Sequence, residues 1–74
     1  MTREEVKSEL EKYPFNPFRL HLVSGHSVLI RMSRQAELMQ NSVLVFQDKA
    51  QEDGEILYDV LSLRNIERIE QVGQ

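Results

Sequence analysis

Residues 18–32 alternate apolar and polar side chains, and this alternation constrains the fold more than any other part of the sequence. A period of two residues predicts β-strands, here two strands joined by a turn that contains Gly25. Because directly opposed residues share a face, only an odd number of loop residues brings the two apolar sets together. We therefore predict a hairpin with the three-residue loop Val23, Ser24 and Gly25, in which the glycine is left-handed.

The predicted register gives the hairpin one buried and one exposed face, because it pairs Leu20 with Val28 and Phe18 with Ile30. The inward row is Phe18, Leu20, Leu22, Val28, Ile30 and Met32. The outward row is Arg19, His21, Ser27, Leu29 and Arg31.

An α-helix is predicted before the hairpin, over about residues 3–12. Thr2 and Glu5 have the spacing of a capping box, and Pro14 is expected to end the helix. Three helical turns are marginal in isolation, so an apolar stripe is expected to dock on the sheet. Alternatively, the stripe binds a partner protein instead of the sheet. The stripe consists of Val6, Leu10 and Tyr13.

Downstream of the hairpin, the pattern predicts one helical turn and three strands. Ser33 is placed to cap the turn, which carries Ala36 and Met39. Residues 42–47 and 55–61 are predicted strands, the first covered on both faces because it is almost entirely apolar. A 3₁₀ turn that runs into a short fifth strand is indicated by the three-residue spacing of Leu63, Ile66 and Ile69.

This order of elements resembles that of the Sm-like barrels, and the barrel itself resembles the Src-homology-3-like class. The segment PFNPFRLHLVSGHSVLIR, followed by SVLVFQ and YDVLSLRNIERIE, also resembles a group of small bacterial proteins that open with PFxPFRLxLxxGxxxxIR. The resemblance covers about residues 14–70 and rests on structural residues. It implies a mainly β fold with an N-terminal α-helix, namely a small five-stranded antiparallel Sm-like barrel over about residues 15–70. Residues 1–74 are expected to form a single domain, and the resemblance implies no activity.

Composition and motifs argue against several functions. The 74 residues include no cysteine, which excludes disulfides and thiolate metal sites and fits a cytoplasmic location. No apolar run approaches the roughly 20 residues that cross a bilayer, so we expect no membrane partner.

His21 and His26 lie at different places in the hairpin, and no third metal ligand has a suitable spacing from them. With neither a nucleophile elbow nor a glycine-rich phosphate loop, we expect no catalytic residue, metal or cofactor. The chain is not expected to be an enzyme.

Positive charge gathers on the hairpin, although the net charge of the chain is −3. No acidic residue lies between Lys12 and Arg34. Arg19 and Arg31 could pair with Glu67 and Glu70 across the barrel, or with a group of acids later in the chain. This group is Asp48, Glu52, Asp53, Glu55 and Asp59. The basic residues could instead form a weak binding face for RNA or another anion, for which the candidate residues are Arg19, His21, Arg31 and Arg34. No aromatic residue alternates with these arginines to stack on bases.

Several leucines are out of phase with the inward rows, and a barrel of this size cannot bury both sets. Exposed apolar side chains of this kind commonly form interfaces. We therefore expect a protein-interaction or self-assembly module, and a weak homodimer is the form that the sequence suggests. RNA or anion binding by the hairpin is the alternative. The candidate interface residues are Leu29, Leu57 and Leu61.

Overall fold

The computed structural model describes residues 1–46 and 58–73, which form one helix, six strands and two 3₁₀ turns. The helix is α1 (Arg3–Leu10), and the strands are β1 (Phe18–Leu22), β2 (Ser27–Ile30), β3 (Ala36–Leu38), β4 (Ser42–Phe46), β5 (Tyr58–Ser62) and β6 (Ile66–Gln71). The 3₁₀ turns Ser33–Gln35 and Leu63–Asn65 precede β3 and β6. The strands form two antiparallel sheets: the first sheet has the order β2-β1-β6, and the second sheet has the order β3-β4-β5.

The hairpin of β1 and β2 confirms the predicted register and loop. The N–H of Leu22 donates to the carbonyl of His26 at 2.8 Å, which closes a loop of three residues. Within this loop Gly25 has a φ of 98°, in the left-handed region that favours glycine. The opposed pairs are the predicted ones, Phe18 with Ile30 and Leu20 with Val28.

The prediction of a five-stranded barrel is wrong. The described residues form six strands in two separate three-stranded sheets, and the sheets do not close into a barrel. The additional strand is β3, which pairs with β4. The predicted helical turn is limited to Ser33–Gln35, so Ala36 lies in a strand and Met39 is exposed. Met32, predicted to face the core, is 43% exposed because β2 and its alternation end before it.

The side chain of Gln35 bridges the break between β2 and β3. Its amide donates to the carbonyl of Leu29 at 3.1 Å, and its oxygen accepts from the N–H of Arg31 at 2.8 Å. Backbone groups in a half-buried position need such partners where a strand ends. One side chain therefore replaces the ladder bonds at the corner where the chain passes from the first sheet to the second.

The helix α1 is shorter than predicted, but it begins as predicted. Thr2 and Glu5 form the capping box, with the N–H of Thr2 donating to the Glu5 carboxylate at 2.9 Å. The helix ends at Leu10 rather than at residue 12. Tyr13 was expected to dock on the sheet, and this is wrong: the residue lies beyond the helix, next to Pro14, and is 99% exposed.

The core is one cluster to which both sheets, α1 and the second 3₁₀ turn contribute side chains. Alternate residues of the central strands β1 and β4 are buried, as the period of a strand requires. The buried residues are Val6, Phe18, Leu20, Ile30, Val43, Val45, Leu63 and Ile66.

The later strands follow most of the prediction. The strand predicted at residues 42–47 is confirmed as β4, although only Val43 and Val45 are buried, while Leu44 and Phe46 are half-buried. The strand predicted at residues 55–61 is present as β5, and its predicted start lies outside the described residues. The 3₁₀ turn that runs into a last strand is also confirmed, and this strand, β6, pairs with β1.

Candidate interaction surfaces

The outer face of the first sheet carries the predicted basic residues of β1. Arg19 and His21 alternate with the buried residues of β1 and therefore point away from the core. On the neighbouring strand β6, Glu70 lies opposite Arg19, and Arg68 lies opposite His21. The structure thus places Arg19 and His21 on one face, together with the acid Glu70 and a second arginine, Arg68.

Glu70 interacts with the basic residues of this face. The Nε2 atom of His21 lies 2.6 Å from Oε1 of Glu70 and donates a hydrogen bond to it. This hydrogen bond lowers the pKa of Glu70 below its ordinary value, and the charges of His21, Arg68 and Arg19 act in the same direction. A carboxylate on the neighbouring strand therefore lies among the basic residues of this face, and its contact is with His21 rather than with an arginine.

The other two predicted basic residues lie away from this pair. Arg31 follows the end of β2, and Arg34 lies in the first 3₁₀ turn; both are exposed. They belong to the corner between the sheets rather than to the outer face of β1 and β6.

Of the three leucines predicted as an interface, the two that the structure describes, Leu29 and Leu61, are not brought together. Leu29 lies opposite Arg19 on the outer face of the first sheet and is half-buried. Leu61, in β5, is half-buried and packs against the core cluster. Leu57 lies outside the described residues.

A different apolar surface lies on the outer face of the second sheet. In β4 and β5, Leu44 is opposite Val60, and Phe46 is opposite Tyr58. The rings of Phe46 and Tyr58 are 6.2 Å apart between centroids and are tilted by 58°, a favourable aromatic geometry. Tyr58 is 55% exposed and Val60 58% exposed. We call these four residues the outer apolar row.

The sequence contained part of the signal for this row. Leu44 is one of the leucines that are out of phase with the inward rows, but the continuous apolar run of β4 predicts coverage on both faces. Val43 and Val45 are the only residues of β4 that are buried. The side chains on the opposite face of the strand are therefore only partly covered. Phe46, Tyr58 and Val60 become one surface only through the pairing of β4 with β5, and this register depends on residues far apart in sequence.

The described surface also has a cleft beside the helix and a groove beside β5. A cleft of about 540 Å³ between α1 and β6 is lined largely by carboxylates, two of which already hold other partners: Glu5 in the capping box and Glu9 with Lys12 at 3.1 Å. A groove of about 220 Å³ lies between β5 and the turn of the first hairpin. Within residues 1–46 and 58–73, no group of three histidine or carboxylate side chains is arranged to hold a metal ion.

The chain matches no family model, no curated protein and no solved structure. In the part of the chain that the structure describes, no helix combines the length and the apolar character needed to cross a bilayer.

Proposed function

We propose that this protein is a non-catalytic interaction module that associates with a second copy of itself through the outer apolar row. The observation that carries this proposal is the adjacency of Leu44, Phe46, Tyr58 and Val60 on one exposed sheet face. Contiguous apolar side chains on a surface favour association, whereas single ones are ordinary.

A second copy suits this surface because both partners then present the same uncharged row. On the outer face of the described strands of the second sheet, Glu37 is the one charged residue, and it lies on the far side of Leu44 from β5. A two-fold axis through the row leaves Glu37 at the rim, where it stays hydrated.

Energies of burial predict weak association. Fully burying a large apolar side chain is worth roughly 1.5–3 kcal/mol, and these side chains are already about half covered, so each adds roughly 1 kcal/mol. The rows of two copies together give on the order of 5–10 kcal/mol, which is close to the ~4–15 kcal/mol cost of association. We therefore expect a dimer that forms at high micromolar concentration.

The test compares two identical substitutions at tyrosines of different exposure. Sedimentation equilibrium of the wild-type chain from about 10 µM to about 1 mM should show a monomer–dimer equilibrium. Tyr58→Ser should weaken it by at least about tenfold. Tyr13→Ser, at the fully exposed tyrosine, should leave it unchanged. A monomeric wild-type chain throughout this range, or equal effects of the two variants, would refute the proposal.

RNA or anion binding through Arg19, His21, Arg31 and Arg34 is the weaker proposal. It is supported by the adjacency of Arg19, His21 and Arg68, and it is weakened by Glu70, which bonds His21 on the same face. Titration with a single-stranded RNA at low and high salt tests it, because phosphate contacts weaken steeply with salt.

The resemblance to Sm-like barrels also stays a proposal. It is supported by the 3₁₀ turn before the last strand and by the pairing of that strand with β1.

A further inference from the structure

The groove beside β5 lies at the edge of the second sheet. One wall is Leu22, Val23 and Ser24 of the hairpin, and the other wall is Val60, Leu61 and Ser62 of β5. Successive residues of a strand point to opposite faces, so a groove on one face would contact alternate residues only. Because this groove contacts three consecutive residues of β5, it follows the strand's open edge.

The ladder between β4 and β5 fixes which backbone groups face the groove. The N–H of Leu63 donates to the carbonyl of Asn41 at 3.0 Å, one step beyond the β4–β5 register. Hydrogen-bonded pairs alternate along an antiparallel ladder, so Leu61 bonds to β4, while the N–H and C=O groups of Val60 and Ser62 point away from it. No described strand pairs with β5 along this edge.

The backbone N–H groups of Leu22 and Val23, in the hairpin wall, already donate to other residues. The N–H of Leu22 donates to His26, and the N–H of Val23 donates to the carbonyl of Asn65 at 2.9 Å. The N–H of Gly25 donates back to Leu22. The groove therefore offers backbone donors and acceptors from β5 on one side and apolar contact from the hairpin on the other.

We infer that this groove binds an extended, uncharged segment of a partner protein, which adds to the second sheet as a strand beside β5. Backbone groups of the guest pair with those of Val60 and Ser62, which is how strand addition supplies affinity. The walls carry no charged side chain, so they match apolar or small polar guest side chains. A volume of about 220 Å³ admits one or two side chains and is below the roughly 300–1,000 Å³ of small-molecule sites.

This binding uses the backbone edge of β5, whereas the proposed self-association uses side chains on the outer face of the second sheet; Val60 belongs to both, through its backbone in the first case and its side chain in the second. The two proposals can therefore fail separately. A concentration series distinguishes them, because strand addition by a peptide does not require a second copy of this chain.

Amide hydrogen exchange of the full chain is the first test. At low protein concentration the amides of Asp59 and Leu61, which face β4, should be protected, and those of Val60 and Ser62 should exchange at least about tenfold faster. Protection of Val60 and Ser62 in the isolated chain would mean that the edge is already covered, and would overturn the inference. A rise in their protection with protein concentration alone would assign the edge to a second copy and overturn it as well.

The second test adds a probe, an acetylated and amidated hexapeptide of alternating threonine and valine. At about millimolar peptide, the amides of Val60 and Ser62 should gain at least about tenfold protection, while those of Asp59 and Leu61 stay as they were. The control is the same peptide N-methylated at alternate residues, which keeps the side chains but removes the donors on one edge. Equal effects of the two peptides, or no protection by the first, would refute strand addition.

A variant in the opposite wall locates the binding site. Val23→Asp places a charge in the groove at a residue that is exposed, so the fold is expected to persist. The variant should keep the free-chain exchange pattern and lose most of the protection that the peptide gives. Undiminished protection in this variant would place the peptide elsewhere.

Discussion

Gly25 shows how one residue fixes the register of the hairpin. A Cβ at this position would meet no atom within 4 Å, so space does not require glycine there. The requirement comes from the φ of 98°, which a β-branched residue adopts only under strain. We predict that Gly25→Val lowers the free energy of unfolding by about 1–3 kcal/mol.

Chemical denaturation of Gly25→Val and Ser24→Val separates this strain from the effect of an added valine. Ser24 lies in the same loop without a positive φ, so its substitution should cost less, about 1 kcal/mol for the lost hydrogen bonds between its hydroxyl and His26. Equal costs at the two positions would argue against backbone strain as the cause.

The hydrogen bond between His21 and Glu70 predicts a pH dependence of stability. Because folding lowers the pKa of Glu70 from an ordinary value near 4.5, its contribution is present above that value. The contribution is lost as the pH falls through the lowered pKa of the folded state. The stability difference between wild type and Glu70→Gln should therefore shrink on acidification.

A double-mutant cycle with His21→Gln, measured by thermal melts at pH values above and below 4.5, isolates this pair. In the His21→Gln background, Glu70→Gln should change stability less than it does in the wild type. An unchanged effect in that background would assign the stabilisation to Arg19 and Arg68 instead.

At the scale of elements, Gln35 determines where the first sheet stops. Its side chain donates to Leu29 and accepts from Arg31, and each such hydrogen bond is worth about 0.5–1.5 kcal/mol. We predict that Gln35→Ala destabilises the protein by about 1–3 kcal/mol in chemical denaturation. Gln35→Met keeps the length of the side chain but removes both hydrogen bonds, so it should cost about as much as Gln35→Ala. A clearly smaller cost for Gln35→Met would assign the effect of Gln35→Ala to lost packing rather than to the two hydrogen bonds.

The region around Gln35 also shows why the hairpin could be predicted from the sequence and strand β3 could not. The hairpin was predictable because the alternation, Gly25 and the loop length are all local. Strand β3 has only three residues, and the serine before it is also a normal helix cap, so a helical turn fitted the local pattern equally well. What stabilises β3 is its pairing with β4, and the side chain of Gln35 compensates for the break before it. The pairing with β4 cannot be read from the residues of β3 alone, and the hydrogen bonds of Gln35, although they are local, leave no trace in the apolar pattern.

The candidate surfaces show the same contrast between what the local sequence pattern predicts and what only the pairing of strands reveals. The sequence placed Arg19 and His21 on an outward face, because that assignment needs only the period of β1. It named Glu67 and Glu70 as alternative partners but did not distinguish between them, because the contact with Glu70 depends on the pairing of β1 with β6. The outer apolar row was missed for the same reason, since Leu44 and Val60 meet only through the pairing of β4 with β5.

At the scale of the whole molecule, α1 connects the two sheets. Val6 is buried in the common core, and Leu10 packs against that core. The Nε atom of Arg3 donates to the carbonyl of Met39, beside the second sheet, at 3.0 Å. The side chain of Gln71, at the end of β6, donates to Glu9 at 2.7 Å. The helix thus contacts the ends of both sheets as well as the core between them.

Removing residues 1–12 should therefore unfold most of the molecule rather than only trim it. Loss of Val6 and Leu10 from the core removes roughly 3–5 kcal/mol, which is about the ~3–5 kcal/mol that a single core of this size supplies. We expect the truncated chain to bind a hydrophobic dye and to lose its cooperative thermal transition. The control is the full chain with Arg3→Ala and Gln71→Ala, which loses only exposed polar links and should stay folded, with a cost of about 2 kcal/mol or less. A truncated chain that melts at the wild-type midpoint without binding dye would show that the two sheets hold together without the helix.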